Sequence, residues 1–298
     1  MQVFITGATG WIGSAVVDHM LDAGHEVTGL ARSDASAAAL EAKGARVLRG
    51  DLDDLDGIRS GAGAADAVVH LANKHDFANP AVSNRAERGA VQTIGEALAG
   101  SHRPFILAAG LASLTPGRVA TEEDRSPFHG IDSLRGGGEN LALEFVEQGV
   151  NTIVVRFAPT VHGDGDHGFI AGLVATARAK AVSAYIEDGG NRWAAIHRGD
   201  AGRIVQLALD KRAPAGTILH ATAETGVPVR DIAGAIGRGL GLPVASVPAD
   251  GAGEHFGWLN KFFGADMAAS SDATRALLGW APGGPTLAED LDSGRYYR

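Results

Sequence analysis

The stretch from Thr6 to Gly13, TGATGWIG, constrains this chain more than any other. It follows the apolar run Val3-Phe4-Ile5 and opens into Ile12-Gly13-Ser14-Ala15-Val16-Val17, whose spacing is helical. Strand, glycine-rich turn and helix, in that order, form the context a dinucleotide-binding turn requires. Gly7 lets the chain turn sharply out of the strand. Gly10 presents bare backbone to a pyrophosphate, and Gly13 lets the helix pack closely on the sheet. The N–H groups of the helix's first turn then point at the phosphates, and its dipole favours their charge. Thr9, Trp11 and Ile12 lie in the same turn and count with the glycines as candidate cofactor contacts.

The pattern that follows alternates. Val3–Thr6 reads as strand, Ile12–Ala23 as helix and Glu26–Ala31 as strand. A helix at Ala35–Lys43, a strand at Arg46–Leu48, an apolar strand at Ala67–Leu71, a helix at Arg85–Ala99 and a strand at Phe105–Ala108 come next. Leu134–Gln148 reads as helix and Thr152–Phe157 as strand. Such alternation predicts an α/β fold, a Rossmann-type doubly wound parallel sheet with right-handed crossovers. After Pro159 it loosens, with helices predicted at Phe169–Ala179, Asp200–Leu209 and Val229–Leu240. The expected organisation is a nucleotide-binding domain over residues 1–159, rejoined by about 199–223. A smaller C-terminal substrate-binding domain takes 160–198 and 224–298. Tyr185 and Trp193 are expected in the small domain's core.

Composition excludes several classes. A formal charge of −9 argues against a nucleic-acid partner. No apolar run approaches the ~20 residues of a membrane span. Met1 abuts the first strand, leaving no room for a signal peptide, and the absence of cysteine excludes disulfides and thiolate chemistry. A cytoplasmic location is expected.

The motifs together resemble the short-chain dehydrogenase/reductase superfamily, in its extended and atypical, epimerase/dehydratase-like branches. TGATGWIG matches the family's TGxxGxxG turn. Gly50-Asp51-Leu52 matches its adenine-contacting Asp-Leu pair, and His70-Leu71-Ala72-Asn73 the fourth-strand end beneath the cofactor. Arg156 through Gly163 (RFAPTVHG) resembles the R-x-x-x-V-Y-G segment beside the nicotinamide, and Ala195–Asp200 the segment that starts the returning helix. The resemblance implies cofactor contacts from Asp51, Leu52, Leu71, Ala72, Asn73, Ala108, Pro159 and Val161. It also implies a homodimer formed through the helices at Arg85–Ala99 and Leu134–Gln148.

The departures concern chemistry. The family's YxxxK pair falls, by alignment on Glu139, at Ile131 and Arg135. The fifth-strand end reads Phe105-Ile106-Leu107-Ala108-Ala109-Gly110, with no hydroxyl before Ser113. Arg135 stays charged and does not titrate as a catalytic lysine does, but it offers a fixed cation to a ribose or phosphate. His162, at a family tyrosine position, and His75, after the fourth strand, are the candidate replacement proton donors. The run His162-Gly163-Asp164-Gly165-Asp166-His167 is read as a turn at the pocket mouth; no metal is expected. Arg32, at the end of the second strand, offers its fork to a 2′-phosphate where an acid would bind the hydroxyls of NAD.

These residues predict an NADP(H)-dependent oxidoreductase. It is expected to reduce a small carbonyl or imine compound by hydride transfer, with a non-standard proton donor or none. Two alternatives stay open: a non-catalytic NADP-binding sensor or regulator, and a cofactor-retaining epimerase or isomerase.

Overall fold

The structure, a computed structural model, describes residues 1–76, 79–112, 114–115 and 117–298. Strands β1 (Gln2–Thr6), β2 (Glu26–Ala31), β3 (Arg46–Arg49), β4 (Ala67–His70), β5 (Pro104–Gly110) and β6 (Asn151–Phe157) occupy the first half. They alternate with α1 (Trp11–Asp22), α2 (Asp34–Ala42), α3 (Leu55–Ala64), α4 (Pro80–Leu98) and α5 (Gly138–Glu144). The second half carries β7 (Thr160–His162), α6 (Phe169–Lys180), β8 (Ser183–Ile186), β9 (Arg192–His197) and α7 (Arg198–Asp210). It continues through β10 (Thr217–Ala221), β11 (Glu224–Pro228), α8 (Val229–Leu240), β12 (Val244–Val247), α9 (Ala252–Phe256), α10 (Asn260–Phe263), α11 (Asp272–Leu278) and α12 (Leu287–Asp292).

Among the described residues, seven strands form one sheet in the order β10-β6-β5-β4-β1-β2-β3. Pairing is parallel, with Val3–Thr6 in register with Ala67–His70 on one side and Gln2–Ile5 with Glu26–Gly29 on the other. Both faces of such a sheet are covered, which is why β1 and β4 are unbroken apolar runs. Strand order reverses between β1 and β4, the switch point where open α/β sheets bind ligands beyond the strands' carboxyl ends. This is the predicted Rossmann-type α/β fold.

The chain divides into two compact units. The first comprises residues 1–109, 125–156 and 202–219. One of its core clusters joins Phe4, Val68, Phe105 and Leu107 of the sheet to Ile58, Val91, Ile94 and Leu98 on α3 and α4, and to Phe145. The second comprises 110–124, 157–201 and 220–298. It holds a three-stranded sheet, β11-β9-β7, and the parallel pair β12-β8. Its core gathers Trp193, Phe256, Leu259 and Phe263, with Tyr185 packed on the edge. Trp193 is fully buried and its indole N–H donates to the Ala265 carbonyl at 3.2 Å.

Two local departures from the sequence pattern bear on the site. The helix expected over Leu134–Gln148 is two elements, a 3₁₀ turn at Leu134–Gly137 and the seven-residue α5. Arg135, Gly136 and Gly137 take left-handed φ values of 54°, 62° and 64°. A Cβ on Gly136 would lie 2.4 Å from the Asn84 carbonyl, so a close approach to α4, not helix propensity, dictates this turn. Helix α4 also starts earlier than expected, at Pro80, with proline in its first turn where a missing N–H does no harm. Helix α3, in the glycine- and alanine-rich LDGIRSGAGA, buries Ile58 and Ala62 and is capped by the Asp54 carboxylate, which accepts from Gly57 N–H at 2.9 Å.

Candidate cofactor and active site

The glycine turn has little room for side chains. Gly7 has φ 67°, and a Cβ there would meet the Ala72 nitrogen at 2.7 Å. A Cβ on Gly13 would lie 2.0 Å from the Gly7 carbonyl oxygen. Gly10 N–H donates to that same oxygen at 2.9 Å, and Gly10 is the N-cap of α1. No side chain caps α1, and its first turn carries no acidic residue. An uncapped helix start beside bare glycine backbone, at the switch point of the sheet, fits a pyrophosphate.

Beyond β2, Arg32 is exposed and makes no ion pair among the described residues. Ser33 caps α2, its hydroxyl accepting from Ser36 N–H at 3.2 Å. Arg49, at the end of the neighbouring β3, donates to the Ser33 carbonyl at 2.8 Å and to the Asp34 carboxylate at 2.5 Å. The Asp34 charge is thereby paired, while Arg32, one residue before the α2 N-cap, has no ion pair among the described residues. Arg49 had no motif to mark it. Asp51 is exposed and its carboxylate accepts from Asp53 N–H at 2.8 Å, while Leu52 is buried. Lys74 ties the two loops, its ammonium 2.7 Å from Asp53.

At the end of β4 lies a buried polar network. Thr6 Oγ1 is 2.8 Å from His70 Nδ1 and accepts from Ala72 N–H at 3.3 Å. Burial pushes the His70 pKa down, opposed by the Glu87 charge and reinforced by Arg135. His70 Nε2 has no hydrogen-bond partner among the described residues and lies 4.0 Å from Glu87 Oε2. Glu87, 1% exposed on α4, accepts from Asn73 Nδ2 at 3.0 Å and from Arg135 Nη2 at 2.7 Å. Asn84 and Arg88, three back and one on along α4, bind the carbonyls of Ser133 (2.9 Å) and Gly136 (3.0 Å). Residues 84, 87 and 88 share one helix face, and together they clamp the turn that carries Arg135. Glu87 escaped sequence reasoning because a glutamate inside an amphipathic helix reads as a solvated position.

Leu71, Ala72 and Asn73 follow β4 and are half-buried; Ala108 is buried within β5. His75 is exposed, with φ 49°, and its N–H donates to Asn73 Oδ1 at 2.8 Å. Ile131, expected from the sequence at the family's tyrosine position, is 42% exposed and carries no titratable group. Ser113 and Phe77 lie outside the described residues.

In the second unit, Pro159 and Val161 are half-buried around β7. His162 has no exposed surface; its Nδ1 lies 2.9 Å from Asp290 Oδ2 on α12, itself 2% exposed. His162 Nε2 has no hydrogen-bond partner among the described residues. The His197 ring meets it edge-on at 5.7 Å, on the adjacent parallel strand β9. Burial lowers the His197 pKa, helped by His162. Asp290 lies 128 residues beyond His162, out of reach of any local motif.

A model described as the NAD dependent epimerase/dehydratase family matches residues 3–129. Uncharacterized protein C2A9.02 of Schizosaccharomyces pombe is 44% identical over 298 residues, covering all of both chains. Uncharacterized protein YLL056C of Saccharomyces cerevisiae is 43% identical, covering 98% of each. The 2′-dehydrokanamycin reductase of Streptomyces kanamyceticus is 29% identical over 85% of this chain and 71% of its own. Among solved structures, the dTDP-glucose 4,6-dehydratase DesIV of Streptomyces venezuelae, with NAD and TYD bound, superposes with a TM-score of 0.79. It is 20% identical and matches 100% of this chain and 97% of that one.

Proposed function

Because this chain belongs to the NAD-dependent epimerase/dehydratase family, within the extended short-chain dehydrogenases/reductases, we propose that it is an NADP(H)-dependent oxidoreductase reducing a small carbonyl or imine compound. The observation that carries the reading is the uncapped, acid-free start of α1 over Gly7, Gly10 and Gly13, with Arg32 at the end of β2 making no ion pair among the described residues. The first supplies N–H groups and a positive dipole end to a pyrophosphate. The second supplies a planar fork to a 2′-phosphate, which NAD lacks. Similarity to a reductase over most of the chain supports the reducing direction.

A bound nicotinamide cofactor supplies hydride chemistry, and what the chain contributes is placement. Arg135, fixed by Glu87, offers its remaining N–H groups to a ribose hydroxyl. Ala72, whose N–H donates to Thr6 Oγ1, lies against the Gly7 turn, and Asn73 follows it in the chain. Ketone reduction also needs a proton. His162 is sealed against Asp290, so the exposed His75 takes the donor role here, unless the substrate is an iminium that becomes a neutral amine without one. His162 instead braces β7 against α12. The functional protein is expected to be cytoplasmic and a homodimer. The experiment is a titration of the full chain with NADPH and NADH, followed by turnover with ketones, aldehydes, quinones and cyclic imines. Tighter NADPH binding with substrate-dependent consumption supports the proposal; NADPH binding without consumption favours a sensor.

A further inference from the structure

The second unit contains a cavity of about 200 Å³. One wall is a single face of α6, where Ala171, Val174, Ala175 and Arg178 recur at helical spacing. The Gly163–Asp166 turn after β7 forms another, and Arg295 with Tyr296, near the end of the chain, closes it. Asp166 is already committed. Its Oδ1 accepts from Gly168 N–H at 2.6 Å and its Oδ2 from the Tyr296 hydroxyl at 2.8 Å. That hydroxyl in turn accepts from Gly163 N–H at 3.3 Å. Three charges around the cavity are uncommitted: Arg178, Arg295 and Asp164 are exposed, and none makes an ion pair among the described residues.

Asp166 keeps its carboxylate within neutral hydrogen bonds, so the lining is formally balanced, two guanidiniums against two carboxylates; the guanidiniums, with no ion pair among the described residues, stand over an apolar floor. A guanidinium fork matches a carboxylate geometrically, and the small side chains of Ala171, Val174 and Ala175 leave room for a few methylenes. The Asp164 charge disfavours a dianion. We propose that this cavity binds a small aliphatic monocarboxylate, its carboxylate between Arg178 and Arg295 and its alkyl body on α6. The volume is below the range typical of drug-sized ligands, which suits a molecule of that size. The site lies wholly within the second unit and does not depend on the cofactor assignment.

Calorimetric titration of the full chain with butyrate, inorganic phosphate and butylammonium tests it, with saturation-transfer NMR as the second readout where heats are small. Butyrate is expected to bind more tightly than phosphate, and butylammonium not at all. Arg178→Ala/Arg295→Ala changes two exposed side chains, so the melting temperature should hold while butyrate affinity falls roughly ten-fold or more. Asp164→Asn should narrow the preference for butyrate over phosphate. Binding unchanged in the double variant, tighter binding of butylammonium, or no butyrate binding by either readout overturns the proposal. Kinetics then distinguish the ligand's source. A carboxylate carried by the substrate gives oxo acids a lower KM than the matching ketones, a difference the double variant removes. A separate ligand changes the turnover of neutral ketones when butyrate is added.

Discussion

The Glu87 carboxylate, buried on α4, accepts a 2.7 Å hydrogen bond from Arg135 Nη2, on a turn whose backbone is left-handed. Among the described residues, only Asn73 gives that carboxylate a second side-chain hydrogen bond, and His70 Nε2 stands 4.0 Å away. The pair joins the β4 end to the turn that carries Arg135.

Arg135→Ala should therefore strand a buried charge. Removing one partner of a fully buried pair costs roughly 3–5 kcal/mol. Arg135 is 28% exposed, so water reaches part of the gap and the lower end of that range is expected. Glu87→Gln in the Arg135→Ala background should recover part of the loss, because a neutral amide needs no counter-charge. Urea unfolding of the four members of the cycle measures this; equal, additive losses would show that the two residues act independently.

Much of this architecture was legible in the sequence, and the reason is local physics. TGATGWIG specifies its own turn through glycine, and the unbroken apolar runs of β1 and β4 announce a sheet covered on both faces. The Arg135 turn was misjudged as helix because its conformation is set by contact with the Asn84 carbonyl and Arg88, neither of which is near it in the chain. Asp290 and Glu87 were invisible for the same reason. Each is an acidic residue within a helix, and only tertiary packing turns it from a solvated position into a buried partner of a histidine or an arginine.

Protonation of His70 and His197 should weaken the fold. His70 and His197 have folded pKa values below the ordinary 6.5, each chiefly through burial. Below about 6.5 the unfolded chain binds protons that the folded chain refuses, so stability is intact above that pH and declines as pH falls through it. Asp166 has the opposite sign: with a pKa raised by burial from 3.8, its contribution is full below that pH and is lost as pH rises through its folded value. Denaturation midpoints between pH 7.5 and 5, values chosen as roughly one unit either side of the histidine range, should fall with acid. A His70→Asn variant should show a shallower slope.

The histidine roles separate cleanly. His75→Ala should lower ketone turnover by roughly 10²–10⁴-fold with NADPH affinity retained, the loss expected for a general acid. His162→Ala should instead lower stability, since it leaves the buried Asp290 carboxylate without its partner at 2.9 Å. Turnover per folded molecule should change little. Ile131→Ala, at an exposed site, should leave turnover within a few-fold of the parent. A large kinetic loss in His162→Ala at unchanged stability would reverse the two assignments.

Cofactor choice rests on Arg32. Replacing it with Asp removes a charge-assisted contact worth about 1.5–3 kcal/mol, which is roughly ten-fold or more in NADPH affinity. NADH binding should change far less. Equal losses for both cofactors, by fluorescence titration, would remove the basis for the NADP(H) assignment.

The most direct measurement of the central claim is transfer of label from NADPH deuterated at the nicotinamide C4, followed in product by mass spectrometry. The reductase reading predicts NADPH oxidised in step with product, each product molecule carrying one deuterium at the former carbonyl or imine carbon. Product formed with no net loss of NADPH, or NADPH bound tightly and left intact across ketones, aldehydes, quinones and cyclic imines, would contradict it.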